Sequence, residues 1–418
     1  MPGSDRALLQ GLFARAVAVA DPMERVPAAL PPRPPGRVIV IGAGKASARM
    51  AEAVELAWGP CDGVVITRYG YGRPTAGIEI VEAAHPVPDA AGARATARIL
   101  DLLAGLGPDD FVLGLISGGG SALLVQPVPG VTLAEKQAVN AALLASGAPI
   151  GRINLVRKHL SRVKGGQLAA AAYPARLLTL MISDVPGDDP ADIASGPTVG
   201  EARSQAEARS VLAEFGIDPP ARIRRALAGQ TPVRHPTDPD LSRVENRIIA
   251  APAQSLAAAA KMAEAAGLTW DILGDALEGE ARDLARAHAK IALSHQAALK
   301  KTARPHLLLS GGECTVTQKG TGIGGPNAEY ALALAIALDG AAGITALAAD
   351  TDGIDGAAEI AGACIDPTTL ARAKGDPGAA LSANDAHSFF AQCGDQVITG
   401  PTLTNVNDFR AILIRPPQ

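Results

Sequence analysis

Aromatic side chains are scarce: six Phe, four Tyr and two Trp make up 3% of 418 residues. Single-stranded nucleic acid is held by stacking bases on such rings, so that class of binding has little to build on. Excess charge of one sign is missing too. Thirty-eight basic and 42 acidic residues leave a net charge of -4, which gives no general attraction for phosphate backbones or anionic membranes. Neither nucleic acid nor membrane is expected as a partner. No run approaches the roughly 18 uninterrupted apolar residues that a membrane helix needs, and the Ala-rich stretch 251–266 is broken by Gln254, Lys261 and Glu264. The four cysteines, Cys61, Cys314, Cys364 and Cys393, form no Cys-x-x-Cys pair. Neither a zinc site nor a disulfide framework is indicated, and free thiols in a cytoplasmic setting are expected. Asp5 and Arg6 precede the mixed stretch 7–20 without the basic and apolar regions of a secretory leader, so it reads as an amphipathic helix.

What is present is the composition of a globular α/β protein. Hydrophobic residues at 48% and charged ones at 19% exclude a largely disordered chain, and 418 residues exceed what one core usually serves, so two domains are expected. Apolar runs bounded by Gly and Pro alternate with helical stretches, the pattern of strand-helix-strand units. In the first half, strands are predicted at 37–41, 63–67, 78–82, 110–116 and 177–182. Asp89 caps a helix reaching about residue 103, and Thr132 with Glu135 forms a capping box for a helix over 133–145. The segment 219–240 is rich in Pro and Arg and lacks periodicity. The boundary is therefore placed near 235–245, giving domains 1–238 and 239–418. The second half restarts with a strand at 247–250, a helix at 253–265 and a strand at 269–273. A long helix over 280–299 follows, then a strand at 306–309 with 315–318 pairing beside it. A helix at 327–338, strands at 345–349, 396–399 and 411–414, and a helix near 384–390 complete it.

Chemistry gathers where predicted strands end. Gly42-Ala43-Gly44-Lys45 after the first strand resembles the start of a dinucleotide fingerprint, in which glycines let the backbone approach a pyrophosphate. The third glycine position is Ser47, and the next strand ends at Thr67-Arg68 instead of an acid, so the fingerprint is incomplete. Lys45 at a helix start either sits where an ammonium would neutralise phosphate charge or faces solvent. Ser117-Gly118-Gly119-Gly120-Ser121 offers backbone N–H groups and two hydroxyls, without the Gly-Lys-Ser/Thr ending of a P-loop. The run 177–182 empties into a turn carrying Asp184, Asp188 and Asp189, and 345–349 empties into Asp350, Asp352 and Asp355. Either acidic turn suits magnesium, which takes one or two protein carboxylates plus substrate phosphates; each also suits an ordinary polar turn. An EF-hand does not fit, because Ala361 stands where the bidentate Glu belongs. Lys158, His159, Arg162 and Lys164 form a basic stripe, either an anion grip or a wet helix face.

Taken together, the motifs resemble the class II glycerate kinases, the glycerate 2-kinase family whose C-terminal half is called the MOFRL domain and whose members are often labelled hydroxypyruvate reductases. The resemblance covers nearly the whole chain. It rests on Gly42-Ala43-Gly44-Lys45-Ala46, Ser117 to Leu123, Lys158-His159-Leu160-Ser161, Lys164 to Leu168, Ser183-Asp184-Val185 with Gly187-Asp188-Asp189, and Ser195-Gly196-Pro197-Thr198. Further on it rests on Ser310-Gly311-Gly312-Glu313, Thr351-Asp352-Gly353 and Thr404-Asn405-Val406-Asn407-Asp408. It implies two α/β domains, an N-terminal Rossmann-like parallel sheet and a C-terminal MOFRL-type domain, with the active site in the cleft between them. It also implies phosphorylation of D-glycerate at the 2-hydroxyl by ATP with magnesium, giving 2-phosphoglycerate.

By position, the resemblance makes Lys45, Glu313 and Asp352 catalytic, and Gly44, Ser117, Gly118, Gly119, Gly120 and Ser121 the nucleotide-phosphate contacts. Asn327 and Asn405 fall to the substrate, and Asp188, Asp189, Asp350 and Asp355 to the metal. One departure matters. Kinases of the family commonly read Gly-Gly-Arg-Asn-Gln-Glu where this chain has Gly324-Gly325-Pro326-Asn327-Ala328-Glu329. A proline cannot replace a guanidinium as partner of the substrate carboxylate or the transition-state charge, so another cation serves, with Arg162 and Lys164 as the candidates, or activity is reduced, or the substrate differs. An NAD(P)H-dependent hydroxypyruvate reductase is the alternative activity, and an impaired metabolite-binding protein the third. A homodimer is compatible with all of these.

Overall fold

The computed structural model describes residues 2–300, 303–356 and 358–416, with side chains from Ser4 onward. It divides into two compact units. The first comprises Pro22–Ser183 and Asp188–Ile249; the second comprises the residues up to Asp21, Asp184–Gly187, and Ala250 onward.

The first unit is built on a sheet of β1 (Val38–Ala43), β2 (Asp62–Arg68), β3 (Ile78–Ala83), β4 (Phe111–Ile116), β5 (Arg176–Ile182) and β6 (Val244–Ala250). The spatial order is β3-β2-β1-β4-β5-β6. β1 pairs parallel with both β2 and β4, β2 with β3, and β4 with β5. Every residue of β1 and β4 is buried, which is why both read as continuous apolar runs without alternation. Ile39, Ile41, Val64, Ile66 and Val112 share a core with Ile99 and Leu103 of helix Ala90–Leu103 and with Leu168 and Ala172 of helix Gln167–Ala172. Between β4 and β5 the chain inserts helices Leu133–Ala145 and Ile150–His159. These pack with Gln205–Glu214 and Ala221–Ala228 around Val139, Leu143, Leu155, Val211 and Leu227. Asp89 caps its helix by accepting from Gly92 N, and the Thr132–Glu135 capping box forms as read.

The second unit carries β7 (Thr269–Gly274), β8 (Gly279–Glu280), β9 (His306–Gly312), β10 (Cys314–Thr315), β11 (Ile344–Asp350), β12 (Gly362–Ile365), β13 (Gln396–Val397) and β14 (Asp408–Ile414). Six form a mixed sheet in the order β13-β12-β11-β14-β9-β7, where only β7 and β9 run parallel. Alternate residues feed two cores. Leu308, Ala346, Ala348, Ile412 and Ile414 face helices Ala281–Ala298, Pro326–Leu338 and Ala386–Cys393. Leu307, Leu309, Leu347, Phe409 and Leu413 meet helix Pro252–Ala265 and helix Pro2–Ala18.

That last contact departs from a single cut at 238/239. Leu9, Leu12, Phe13 and Ala16 are buried against the mixed sheet, with the Phe13 and Phe409 rings 5.8 Å apart, because this sheet needs an apolar cover on both faces. Arg415 to Asp5 and Arg6 to Asp395 pin the same helix at its polar edge. β6 departs as well: instead of opening the second half it borders β5, where Leu177 N donates to Arg243 O. Residues 315–318 do not extend the sheet beside β9; Cys314–Thr315 pairs with Gly279–Glu280 in a separate two-stranded ladder. β12 was hidden in sequence by its length of four residues. All four cysteines are free thiols, three of them buried, and no described helix is long and apolar enough to cross a membrane.

Candidate active site

From β1 the chain proceeds to β2 and β3 on one side, then returns to place β4 on β1's other side. The strand order therefore reverses between β1 and β4, and beyond the carboxyl ends at such a switch point open α/β sheets bind ligands. Gly44-Lys45 and Ser117–Ser121 are the two outlets there. They are tied together: Lys45 N donates to Gly118 O at 2.8 Å, and Ser117 Oγ accepts from Ala46 N at 3.0 Å. Gly44 has φ +151, and a Cβ there would collide with Ser117, so the close approach of the outlets requires glycine. Helix Ser47–Trp58 starts at this junction and turns its positive end to it. Gly119, at φ +79, lies where an added Cβ would meet the His85 ring at 3.0 Å and the Lys45 stem at 3.3 Å. Lys45 and His85 thus flank a bare stretch of backbone, the arrangement an approaching phosphate needs.

The loop is backed by residues far away in sequence. Ser121 Oγ meets Ser195 Oγ, Ser195 Oγ contacts Asn154 Oδ1 at 3.1 Å, and Asn154 Nδ2 donates to Asp192 at 3.3 Å. Ser195 therefore braces the 117–121 loop. No local sequence pattern names Ser195 or Asn154 as the contacts.

The basic stripe is not a wet face. Lys158 is 1% exposed and donates to Glu201 at 2.8 Å; His159 bonds Thr231 at 2.6 Å and the Arg203 carbonyl at 3.0 Å. Lys164 is buried with its ammonium on the Leu124 and Ala194 carbonyls, while the Arg162 side chain is exposed. The acidic turn after β5 is divided between the units. Asp184 clusters with the second, where Asn405 donates to its carboxylate at 3.1 Å and Asn407 to its carbonyl at 3.0 Å. Asn405, expected at the substrate, thus holds the turn. Asp188 has φ +54 and a buried Oδ1 with no hydrogen-bond partner among the described residues; Asp189 is exposed and accepts from Ala191 N at 2.8 Å.

In the second unit the ends of β9, β14 and β11 lie side by side, since Asp408 is opposite both Gly312 and Asp350. This places exposed Glu313 at the same end of the sheet as Asp350 and buried Asp352, where Asp352 N donates to Asp350 Oδ1 at 2.9 Å and Ile354 N to Asp352 Oδ1 at 2.8 Å. Asp355 has another occupation than the expected metal. Its oxygens accept from Asn327 N at 2.9 Å and Ala328 N at 2.8 Å, with His387 Nε2 at 3.1 Å, so it anchors the start of helix Pro326–Leu338. Asn327 is 1% exposed and donates to Asp408 at 2.6 Å, which makes it a bridge between two buried acids. Pro326 itself occupies the first helical position, where its fixed φ and missing N–H cost nothing.

A family model described as "Domain of unknown function (DUF4147)" matches residues 8–228, and one described as "MOFRL family" matches residues 306–408. A D-glycerate 2-kinase of Thermotoga maritima is 40% identical over 413 residues, covering 97% of this chain and 98% of the relative. The chain belongs to the class II glycerate kinases. The solved glycerate kinase of T. maritima superposes with a TM-score of 0.87 at 39% identity, covering 99% of this chain and 100% of that one. An Agrobacterium vitis protein called "Putative hydroxypyruvate reductase" is 53% identical over 420 residues, covering 98% of this chain and 95% of the relative. Both labels thus occur among close relatives of this class II glycerate kinase chain.

Proposed function

We propose that the chain phosphorylates D-glycerate at its 2-hydroxyl, using ATP and magnesium and releasing 2-phosphoglycerate and ADP. The observation that carries this reading is the glycine turn at the β1/β4 switch point, where the Lys45 stem lies beside half-buried Gly119 at the start of helix Ser47–Trp58. The 2-hydroxyl oxygen bonds to the γ-phosphorus as the bond to the β-phosphate oxygen breaks, the electron pair of that bond leaves with ADP, and the hydroxyl proton is released to water. Charge grows on the transferring oxygens, and the Lys45 ammonium with the loop N–H groups stabilises it. Glu313 and Asp352 keep the catalytic assignment that the family resemblance gives them.

Asp188 fits a cation, because a buried carboxylate oxygen without a hydrogen-bond donor favours a positive partner. Asp188 and Asp189 are the residues that would hold magnesium, which would neutralise phosphate oxygens there. Asp355 is left out, its oxygens being committed to helix N–H groups.

A reductase reading draws on the strand order, which is that of dinucleotide-binding sheets, and on the A. vitis label. Against it, Ser47 replaces the third glycine with its hydroxyl committed to Leu115 O at 2.9 Å, and Arg68, lying over the Tyr71 ring, replaces the ribose acid. Incubation with D-glycerate, ATP and magnesium, followed by phosphorus NMR, should show 2-phosphoglycerate. NADH oxidation with hydroxypyruvate, and no phosphoglycerate, would sink the kinase reading.

A further inference from the structure

The first unit contains a cavity of about 520 Å³, edged by Gly119 and Ser121 of the phosphate loop. Most of its wall is apolar, from the 86–88 segment and helix Leu133–Ala145. Three basic side chains also line it: Lys136, Arg157 and Lys164. Their hydrogen bonds all go to neutral oxygens. Lys136 donates to the Leu160 carbonyl at 2.9 Å, Lys164 to Leu124 and Ala194 at 3.2 and 3.3 Å, and Arg157 to the amides of Asn140 and Asn154 at 2.6 and 3.3 Å. Burial, and after it the charge of Arg157, brings Lys136 down to about 7. Burial and then the neighbouring cations hold Lys164 well below its ordinary value. Lys158, on the same helix as Arg157, shows the contrast, since Glu201 balances it. Burial without a counter-charge among the described residues disfavours the protonated form of each lysine, and a bound polyanion would favour it, so that anion binding and proton uptake would go together.

Charge and shape together select the ligand. A three-carbon acid would leave most of the cavity to water, and inorganic phosphate would leave its apolar wall uncovered. A nucleoside di- or triphosphate meets both, with a flat apolar base at one end and a polyanion at the other, in a cavity of the usual ligand size. We propose that this cavity is the nucleotide seat. The base lies between the 86–88 segment and helix Leu133–Ala145, and the phosphates pass Arg157, Lys136 and Lys164 to reach Gly119 and Ser121. This rests on the phosphotransfer reading and adds to it where the nucleotide binds.

The test is calorimetric titration of the full chain with ATP and with ADP, in magnesium and without acceptor. It compares the parent with Arg157→Met and Ala141→Trp. Ala141 is exposed and lines the cavity, so the indole adds bulk at the rim without entering a core. Each variant should bind ATP at least tenfold more weakly, with an unchanged circular dichroism spectrum; if either spectrum changes, Lys136→Met replaces it with the same expectation. ATP affinity within twofold of the parent in the folded variants overturns the proposal, as does loss of D-glycerate binding with ATP binding intact. Turnover is measured separately. Phosphoglycerate formed with an unchanged KM for ATP in the variants removes the seat and leaves the kinase reading, whereas ATP binding lost in the variants of a parent that forms no phosphoglycerate does the reverse.

Discussion

Glu201→Gln isolates one buried electrostatic element that supports the site. Glu201 is 9% exposed and receives Lys158 Nζ at 2.8 Å, Arg203 Nε at 2.9 Å, Arg203 NH2 at 2.8 Å and the Arg203 backbone N at 3.0 Å. Burial works against its charge, but these donors outweigh burial and bring its pKa from 4.5 down to about 2. A fall of that size corresponds to about 3 kcal/mol in favour of the ionised, folded state. Because the folded pKa is the lower one, this stabilisation is fully present above the unfolded value near 4.5 and is lost as pH falls toward about 2. The glutamine removes it at every pH and leaves Lys158 buried without a counter-charge. Breaking a buried pair in this way costs about 3–5 kcal/mol, and the two figures describe one interaction, so they are not added. At pH 7 the variant should be less stable by about that amount, and the parent and variant stabilities should converge as pH drops from 4.5. Urea unfolding in a Trp270→Phe background reads this out, since Trp58 is then the sole tryptophan and lies in the first unit. A difference below about 1 kcal/mol at pH 7, or one that stays constant down to pH 3, would refute the reasoning.

Lys45→Ala should lower kcat by about 100-fold or more, the usual loss when one preorganised charge at a developing oxyanion is removed. An unchanged circular dichroism spectrum separates this from misfolding, and near-normal turnover would remove Lys45 from the chemistry. Leu12→Ala empties a fully buried position between helix Pro2–Ala18 and the mixed sheet. It should destabilise the second unit by about 2–5 kcal/mol, read by Trp270 fluorescence in urea. A loss under about 1 kcal/mol would mean that the helix is not part of that core.

Much of the first unit was legible because its signals are local. Continuous apolar runs marked the parallel strands, Asp89 and Thr132 marked helix starts, and Gly44, Lys45 and the 117–121 loop stood at strand outlets, where the sheet's topology gives them purpose. What stayed hidden depended on partners remote in sequence. Asp355 resembles a metal acid until helix Pro326–Leu338 is seen to begin on its oxygens. Asn405 resembles a substrate ligand until Asp184 is found beside it. Lys136 drew no attention in the sequence, and only the return of residues 157–164 shows that it is enclosed. β6 could not be assigned to its sheet from sequence, since an edge strand carries no mark of which neighbour it joins.

The helix Pro2–Ala18 also has a history, because its place in the mixed sheet is completed by β14, roughly 400 residues later in the chain. At a translation rate of about 5–20 residues per second, that interval is on the order of 20–80 s. Until β14 is made, Leu9, Leu12 and Phe13 lack their complete docking surface, although every strand of the first unit is finished by residue 250. A growing chain of this design therefore carries a sticky leading segment for most of its synthesis. Expression yield should respond to substitutions on that helix face more strongly than equilibrium stability alone would suggest, since the nascent chain pays for apolar exposure before the finished protein gains from its burial.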